Sequence, residues 1–279
     1  MSGYGSLYVC PTPIGNLEDI TLRVLRILKE VDLIAAEDTR QTIKLLNHFE
    51  INNTLTSYHE HNKYKKGPKI QSLIEEGQDV ALVSDAGMPG ISDPGEELIY
   101  ECIKAGIEVV VLPGASAAIT ALVGSGMPTG RFVFEGFLYK KKNDRKKQIE
   151  SFKYEDRTLI LYEAPHRLET TLTELMKCLG DIDIMIGREL TKKYEEKLRG
   201  KISSVLERFD EMSPRGEMVL IFEGLGHVKD QQFEWAELSI EEHVLKEMEQ
   251  GTPKKEAVKK VAKLRNLPKQ DVYKRTIDL

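Results

Sequence analysis

The sequence predicts an α/β protein with two α/β domains and a small C-terminal helical module. Short apolar runs, the size of buried parallel strands, alternate with amphipathic helical segments in the first half of the chain. The alternation starts again after a cluster of glycines between residues 124 and 130, which is typical of a domain boundary. After a linker at 224–234, only helical patterns follow. We therefore expect three domains, over residues 1–128, 129–226 and 235–279.

Five strands joined by helices are expected in the first half, which indicates a mainly parallel, doubly wound sheet. Asp19 or Thr21 can cap the first helix, and Asp93 with Pro94 can cap the helix after the fourth strand. Gly77 suits the end of the third helix, because glycine adopts positive φ readily. The strands are expected at 7–9, 31–36, 55–58, 80–83 and 109–112. The helices are expected at 22–28, 43–46, 69–76, 98–104 and 117–122.

The second half repeats the alternation and ends in a helical tail. Its strands are expected at 132–134, 159–162, 182–186 and 218–222. Its helices are expected after a basic run at 140–147, at 168–175 and near 204–209. The tail should form helices at 240–248, 254–264 and 268–273, with Thr252 as the N-cap of the second and Pro253 at its first helical position. Three short basic helices have the size of a helix-turn-helix unit.

Composition places the chain among globular proteins. Of its 279 residues, 41% are hydrophobic and 30% are charged, and no apolar run approaches the roughly 20 residues of a membrane helix. The N-terminus has neither the basic nor the long apolar segment of a signal peptide. Three widely spaced cysteines indicate reduced thiols, not a disulfide framework or a zinc cluster. We therefore expect a cytoplasmic protein without a structural metal.

Charge is distributed unevenly along the chain. The net charge is −5, yet residues 252–279 carry +6, so the remainder carries −11. A basic tail on an acidic body is typical of proteins that bind nucleic acids. The alternative is a solvated helix face that offsets nearby acidic groups.

The stretch 80–96 is the strongest candidate for a ligand-binding element. Its apolar run is followed by S-D-A-G-M-P-G-I-S-D-P-G, whose glycines let backbone N–H groups approach a ligand. A strand, a glycine-rich loop and a helix form the usual ligand site of an open α/β sheet, at the carboxyl ends of the strands. The alternative is an ordinary connection, but such loops usually span about 2–6 residues.

Polar clusters recur where the predicted strands end, and we expect them to converge on one cleft. They lie at 11–16, 37–40, 84–94, 163–167 and 188–193. His59 and His61 are either metal ligands or part of a polar loop, and the lack of a third clear ligand favours the loop. The sequence contains no P-loop motif, no G-x-G-x-x-G after the first strand and no G-x-S-x-G, which argues against three common enzyme classes.

The motifs at the strand ends resemble those of the tetrapyrrole-methylase superfamily. They are, in order, P-T-P-I-G-N-L-E-D-I-T, A-E-D-T-R, S-D-A-G-M-P-G-I-S-D-P-G, L-P-G-A-S-A, E-A-P-H-R, R-E-L-T-K and R-G-E. The resemblance covers essentially the whole chain and is strongest to the ribosomal RNA branch, which methylates a cytidine 2′-oxygen in small-subunit 16S rRNA. The sequence G-M-P replaces the G-D-P of the tetrapyrrole enzymes, which supports that branch.

The resemblance implies that S-adenosylmethionine (S-adenosyl-L-methionine) binds in the cleft between the two α/β domains. It also implies a homodimer, and 16S rRNA in the small ribosomal subunit as the partner. The positions that match the family's cofactor contacts are Pro13, Asp85, Gly87, Met88, Ser116, Ala117, Tyr162 and Leu190.

Methylation of a ribose hydroxyl is an in-line displacement at the methyl carbon of a sulfonium. Alignment of the reactants can supply several of the roughly 7–11 kcal/mol attainable by positioning. A base for the hydroxyl proton adds about 10²–10⁴-fold. The candidates, each of which is alternatively a structural ion pair or a phosphate contact, are Glu163, Glu189 and Lys192. The arginines expected to clamp phosphate or substrate are Arg40, Arg167 and Arg188.

Two other classes of protein remain open at this point. A C-methyltransferase for a precorrin-type tetrapyrrole needs no basic helical tail. A non-enzymatic regulator, with a small-molecule-sensing body and a nucleic-acid-binding tail, leaves the charged strand ends without a role.

Overall fold

The computed structural model describes residues 3–208, 216–226, 238–265, 267–276 and 279. These residues form two compact units. One contains the described residues up to Glu150 together with Arg157–Glu223, and the other contains Ser151–Asp156 with Gly224–Leu279. Arg215 of the R-G-E motif and most of the predicted linker, 227–234, lie outside the described residues. The three domain ranges given above stay a prediction, whereas the α/β class is confirmed.

The first sheet contains β1 (Ser6–Val9), β2 (Leu33–Ala36), β3 (Leu55–Ser57), β4 (Val80–Val83) and β5 (Glu108–Val111). All five strands are parallel, in the order β3-β2-β4-β1-β5, which confirms the doubly wound prediction. Every residue of β4 is buried, because side chains that alternate along a strand enter the apolar core on each face. The carboxyl ends of β1, β2 and β4 therefore meet at one edge.

The helices of the first half are α1 (Leu22–Glu30), α2 (Thr39–His48), α3 (Lys63–Glu75), α4 (Glu96–Lys104) and α5 (Ala117–Ser125). Thr21 caps α1 by accepting a hydrogen bond from the Val24 N–H, as predicted. The predicted cap of α4 is wrong. Gly95 holds the N-cap position. Its φ of +147° is a backbone conformation that residues with a side chain rarely adopt. Asp93 lines the cavity described below instead.

The second sheet contains β6 (Phe132–Phe137), β7 (Thr158–Glu163), β8 (Asp183–Arg188), β9 (Glu196–Lys201) and β10 (Met218–Phe222). Their order is β6-β7-β10-β8-β9, with β6 parallel to β7 and the other pairs antiparallel. Because β10 runs opposite to both of its neighbours, β6, β7 and β8 share one direction. Their carboxyl ends therefore lie at the same edge. The charged strand β9 was not predicted from the sequence.

Helix α5 packs on the second sheet, although it follows the last strand of the first. Its buried residues Ala118, Ala121 and Leu122 share one apolar cluster with Ile160 and Val219 of the second sheet. The guanidinium of Arg199 on β9 also donates to the backbone oxygens at the end of this helix. The remaining helices of the second half are α6 (Lys142–Ser151), α7 (Leu168–Leu179) and α8 (Ile202–Glu207).

The C-terminal unit contains α9 (Ile240–Glu249), α10 (Lys254–Leu264) and α11 (Lys269–Arg275). Its core is formed by small and β-branched side chains, among them Val244, Val258 and Val272. Ser239 and Glu242 form a reciprocal capping box at the start of α9. The predicted cap of α10 is wrong, because Pro253 is the N-cap and Thr252 donates its N–H to the Glu247 oxygen. None of the described helices is long and apolar enough to cross a membrane.

Candidate functional site

A cavity of about 450 Å³ opens where the carboxyl ends of β4, β7 and β8 face one another. This volume lies within the range of small-molecule sites. The first sheet contributes the loops after β1, β2 and β4, and α5 contributes its first turn. The second sheet contributes the ends of β6, β7 and β8 and the start of β10. Four of the five predicted polar clusters therefore contribute to one cavity, whereas no residue of the cluster at 163–167 lines it.

Thr12 and Gly87 join the loops that follow β1 and β4. The Thr12 N–H donates to the Gly87 oxygen at 2.9 Å, and the Gly87 N–H donates back to the Thr12 oxygen at 3.0 Å. The Thr12 hydroxyl donates to the Ser84 oxygen at 3.0 Å. Gly87 has φ +82°, and an added Cβ there would lie 3.3 Å from a methyl carbon of Ile14. Position 87 thus requires glycine for its conformation and offers little room for a side chain.

The loop after β1 also contacts the loop after β8. The Asn16 N–H donates to the Thr191 hydroxyl at 3.0 Å. Gly15 lies so close to this loop that an added Cβ would come within 2.8 Å of the Leu190 oxygen. One side of the cavity is therefore closed by direct contact between the two halves of the body.

Tyr162 and the start of α5 form another wall of the cavity. The Tyr162 ring meets Phe134 and Phe137 edge-on, with ring centroids 5.0 and 5.6 Å apart, and Tyr162, Ser116 and Ala117 all belong to the cavity lining. Burial, the largest cause, raises the pKa of Tyr162. Tyr162 and Phe137 give the cavity an aromatic wall, and the charges of Asp93 and Glu217 add to the raised pKa of Tyr162.

Acidic side chains dominate the polar part of the cavity lining, and they include Glu37, Asp85, Asp93 and Glu217. Burial, the largest cause, with the nearby charges of Glu37 and Glu217, raises the pKa of Asp93 to about 7 from an ordinary 3.8. Burial, the largest cause, also raises the pKa of Glu37, although the Asp85 N–H donates to its carboxylate at 3.3 Å and lowers that pKa in part. A cation bound there would relieve the repulsion, so the cavity favours positively charged ligands.

Nine of the predicted site residues line the cavity, and five do not. Those in the lining are Asp85, Gly87, Met88, Ser116, Ala117, Tyr162, Glu189, Leu190 and Lys192. Those outside the lining are Pro13, Glu163, Arg40, Arg167 and Arg188. Within the lining, Glu189 and Lys192 form an ion pair at 2.8 Å.

Glu163 lies inside β7 and is 0% exposed. Its carboxylate accepts the Thr171 hydroxyl at 2.6 Å and the Ala164 N–H at 2.9 Å, and Arg167 lies 3.4 Å away. Arg40 is paired with Asp38, and Arg188 is paired with Glu196. These polar groups are thus engaged by neighbours within the body.

Several residues of the cavity lining were not among the predicted site residues. Glu37 and Asp93 stood inside predicted polar clusters, but nothing in the sequence distinguished them from their neighbours. Phe137 lay outside the clusters, and Glu217 belonged to the R-G-E motif without an assigned role. The places of both depend on strand pairing in the second sheet. His59, the alternative metal ligand, lies 3.0 Å from the Asn62 amide in a polar loop. Among the described residues, no group of three or more His, Cys, Asp or Glu residues is arranged to hold a metal ion.

Relatives with curated names match almost the full length of the chain. A protein of Halalkalibacterium halodurans named ribosomal RNA small subunit methyltransferase I is 51% identical over 96% of this chain and 93% of its own. A protein of the same name from Bacillus subtilis is 50% identical, over 98% of this chain and 94% of its own.

Solved structures share the α/β architecture at low sequence identity. A cobalt precorrin-4 methyltransferase of cobalamin biosynthesis superposes with a TM-score of 0.61 at 13% identity, over 78% of this chain and 94% of its own. A uroporphyrin-III C-methyltransferase from Thermus thermophilus, complexed with S-adenosyl homocysteine, superposes with a TM-score of 0.57 at 16% identity, over 80% of this chain and 100% of its own. The sequence profile described as tetrapyrrole (corrin/porphyrin) methylases matches residues 6–206. The chain therefore belongs to the tetrapyrrole methylase family.

Proposed function

We propose that the protein methylates the 2′-oxygen of a cytidine in small-subunit 16S rRNA, with S-adenosylmethionine as the methyl donor. The observation that carries the proposal is the match, at about half identity and nearly full length, to proteins named ribosomal RNA small subunit methyltransferase I. An acidic cavity formed by both halves of the body supports it. A tetrapyrrole rich in carboxylates suits this acidic lining poorly.

The chemistry of the cavity fits S-adenosylmethionine, which carries a sulfonium and an ammonium group. The acidic loops suit these cationic groups, and the wall of Tyr162 and Phe137 suits an adenine ring. Because Gly87 has no side chain, a ligand can approach the backbone of this loop closely, while the Gly87 N–H itself is donated to the Thr12 oxygen. We assign cofactor contacts to Pro13, Asp85, Gly87, Met88, Ser116, Ala117, Tyr162 and Leu190.

Glu189 and Lys192 are the favoured groups for moving the hydroxyl proton, because both line the cavity and face each other as an ion pair. Glu163 holds Arg167 and the start of α7, so we assign it a positioning role at the same edge. Arg40, Arg167 and Arg188 remain the proposed clamps for phosphate or substrate.

The proposal extends to assembly and location. An exposed apolar patch that includes Tyr100, Ile103 and Val111 lies beside the edge strand β5, which supports a homodimer. We propose a cytoplasmic enzyme that acts on the small ribosomal subunit. The helical module with its basic tail is proposed to bind RNA.

One assay tests the proposed function directly. Small ribosomal subunits from cells without this enzyme are incubated with the protein and labelled S-adenosylmethionine, and the rRNA is then digested to nucleosides. We expect label in 2′-O-methylcytidine. Label in a base, or no transfer to rRNA, would refute the proposal.

Gly87→Val should weaken S-adenosylmethionine binding by roughly tenfold or more, since a β-branched residue at positive φ is strained and its side chain points at Ile14. Gly106→Val is the matched control, because Gly106 also has positive φ but has nothing within 4 Å of an added Cβ. Titration calorimetry measures both affinities. Equal affinities for the two variants would contradict the assignment of this loop.

Glu189→Gln and Lys192→Met should lower turnover at saturating cofactor by about 10²–10⁴-fold, the range expected for loss of a general base. Cofactor affinity should change far less, because the reaction step is affected more than binding. Glu163→Gln should have a smaller effect, since the amide still accepts the Thr171 hydrogen bond. Wild-type turnover in all three variants would remove these residues from the mechanism.

Affinity for S-adenosylmethionine should rise between pH 6 and pH 8. Because the pKa of Asp93 is about 7, most of its carboxyl is protonated at pH 6 and ionised at pH 8, and the ionised form attracts a cation. Asp93→Asn should flatten this rise. The raised pKa also means that ionisation destabilises the fold as pH rises toward 7. The variant should therefore gain more in melting temperature at pH 8 than at pH 5, and equal gains would contradict the raised pKa.

Lys255, Lys259 and Lys263 lie on one exposed face of α10, four residues apart. Changing all three to Gln should raise the Michaelis constant for the subunit and leave cofactor affinity unaltered. Each lost phosphate contact should reduce the log–log salt slope of RNA binding by about 0.7–0.9. An unchanged salt slope, measured by filter binding across a salt series, would favour a structural role for the tail.

A further inference from the structure

Two exposed tyrosines lie at the rim of the cavity, on the second sheet. Tyr139 is 61% exposed and follows the cavity-lining Phe137 by two residues. Tyr194 is 73% exposed and follows the cavity-lining Lys192 by two residues. Their loops leave β6 and β8, which end at the same edge of the sheet three strand positions apart, or about 14 Å at roughly 4.8 Å per strand. The cavity lining thus takes residues from both strand ends, Phe137 from β6 and Lys192 from the loop after β8.

The backbone of the loop that carries Tyr139 is held in place by side chains from beneath. Arg145 donates to the Lys140 oxygen at 3.1 Å and binds Glu174 with its other edge at 2.6 and 2.9 Å. Arg167 donates to the Leu138 oxygen at 2.9 Å, and the Tyr139 N–H donates to Gln148 at 3.1 Å. The loop thus has a fixed shape, while the ring of Tyr139 is left to solvent. A contact made by such a ring costs little conformational entropy on binding.

The same loop carries positive charges that the body does not neutralise. Lys140, Lys141 and Lys142 are exposed. In the described part of this segment, the ion pairs are those of Arg145 with Glu174 and Lys146 with Glu150, so the three lysines have no carboxylate within 4.0 Å. On the loop after β8, the Lys193 ammonium lies 5.5 Å from the centre of the Tyr194 ring.

We propose that these two loops, 138–142 and 192–194, form a platform for single-stranded RNA on either side of the target nucleotide. The lysines bind phosphates, and the tyrosine rings stack on unpaired bases, which is the combination that binds single strands. A strand that crosses the opening between the loops presents one ribose to the cavity. The inference rests on the proposed function and adds a contact surface separate from the helical tail.

A third exposed tyrosine provides the matched control. Tyr64 is 77% exposed, and the Lys63 ammonium lies 5.1 Å from the centre of its ring. However, Lys63 is bound by Glu60 at 2.9 Å and by Glu97 at 3.1 Å, so its charge is not available for a phosphate. Tyr64 belongs to α3 beside the first sheet and contributes nothing to the cavity lining. Loss of its ring should leave RNA binding unaffected.

The test uses the full-length protein with two substrates, protein-free 16S rRNA and small ribosomal subunits, both lacking the modification. Tyr139→Ala and Tyr194→Ala should each raise the Michaelis constant for both substrates roughly tenfold through loss of base stacking. Tyr139→Phe should behave as the wild type, because the ring remains. Changing Lys140, Lys141 and Lys142 together to Gln should reduce the log–log salt slope by about 2, at roughly 0.7 per contact. Tyr64→Ala should match the wild type throughout, and cofactor affinity should hold in every variant.

Three results would overturn the platform. One is an unchanged Michaelis constant in both alanine variants while the wild type methylates rRNA, which leaves the proposed function intact. Another is an equal defect in Tyr64→Ala. The third is a defect seen on subunits but absent on protein-free rRNA, since the surface would then contact a ribosomal protein. A wild-type protein that methylates neither substrate would refute the proposed function itself, and the platform with it.

Discussion

Two backbone hydrogen bonds between Thr12 and Gly87 hold the loops on which the cavity depends. β1 and β4 are neighbours in the sheet, so the loops that leave their carboxyl ends begin side by side. Thr12 lies between two prolines, which have no N–H, and its own N–H is therefore the one backbone donor of the P-T-P segment. Because this N–H is hydrogen-bonded to Gly87, the loop after β1 places Ile14 in the cavity lining. The same loop places the Asn16 N–H within hydrogen-bonding distance of the loop after β8. One pair of bonds thus aligns the acidic loop of the first sheet with the wall provided by the second.

The acidic lining of the cavity brings several carboxylates close together in the folded protein. Partly buried carboxylates near one another are disfavoured as ions, which is why the pKa values of Asp93 and Glu37 are raised. A positively charged ligand relieves part of this repulsion, and its binding is favoured for that reason. The rim of the second sheet has the opposite sign, with exposed lysines at 140–142. The acidic lining therefore favours a cationic ligand inside the cavity, and the lysines favour a polyanion at the rim. The two ligands interact with different charged groups of the protein.

The sequence predicted the first sheet well because its strands are short apolar runs closed by turn residues, as in β4. The charged strand β9 was not predicted because the sequence E-K-L-R-G-K has no apolar strand pattern. This segment is a strand because it pairs with β8. Asp93 has the residue type of a helix cap, but Gly95, at positive φ, holds the N-cap position of α4 and Asp93 lines the cavity. Convergence of the strand ends followed from the common direction of parallel strands. The places of Phe137 and Glu217 did not, since they depend on β10 pairing between β7 and β8.

The packing of α5 on the second sheet has a consequence for how the protein is made. Ala118, Ala121 and Leu122 emerge from the ribosome before Ile160, Met185 and Val219, which bury them. Until those strands are synthesised, the nascent first half presents an apolar helix with no surface to cover it, a species prone to aggregation or chaperone capture. The start of α5 also lines the cavity, so the cavity cannot be completed during translation of the first half. The cavity is therefore formed late, after the second sheet closes on the helix.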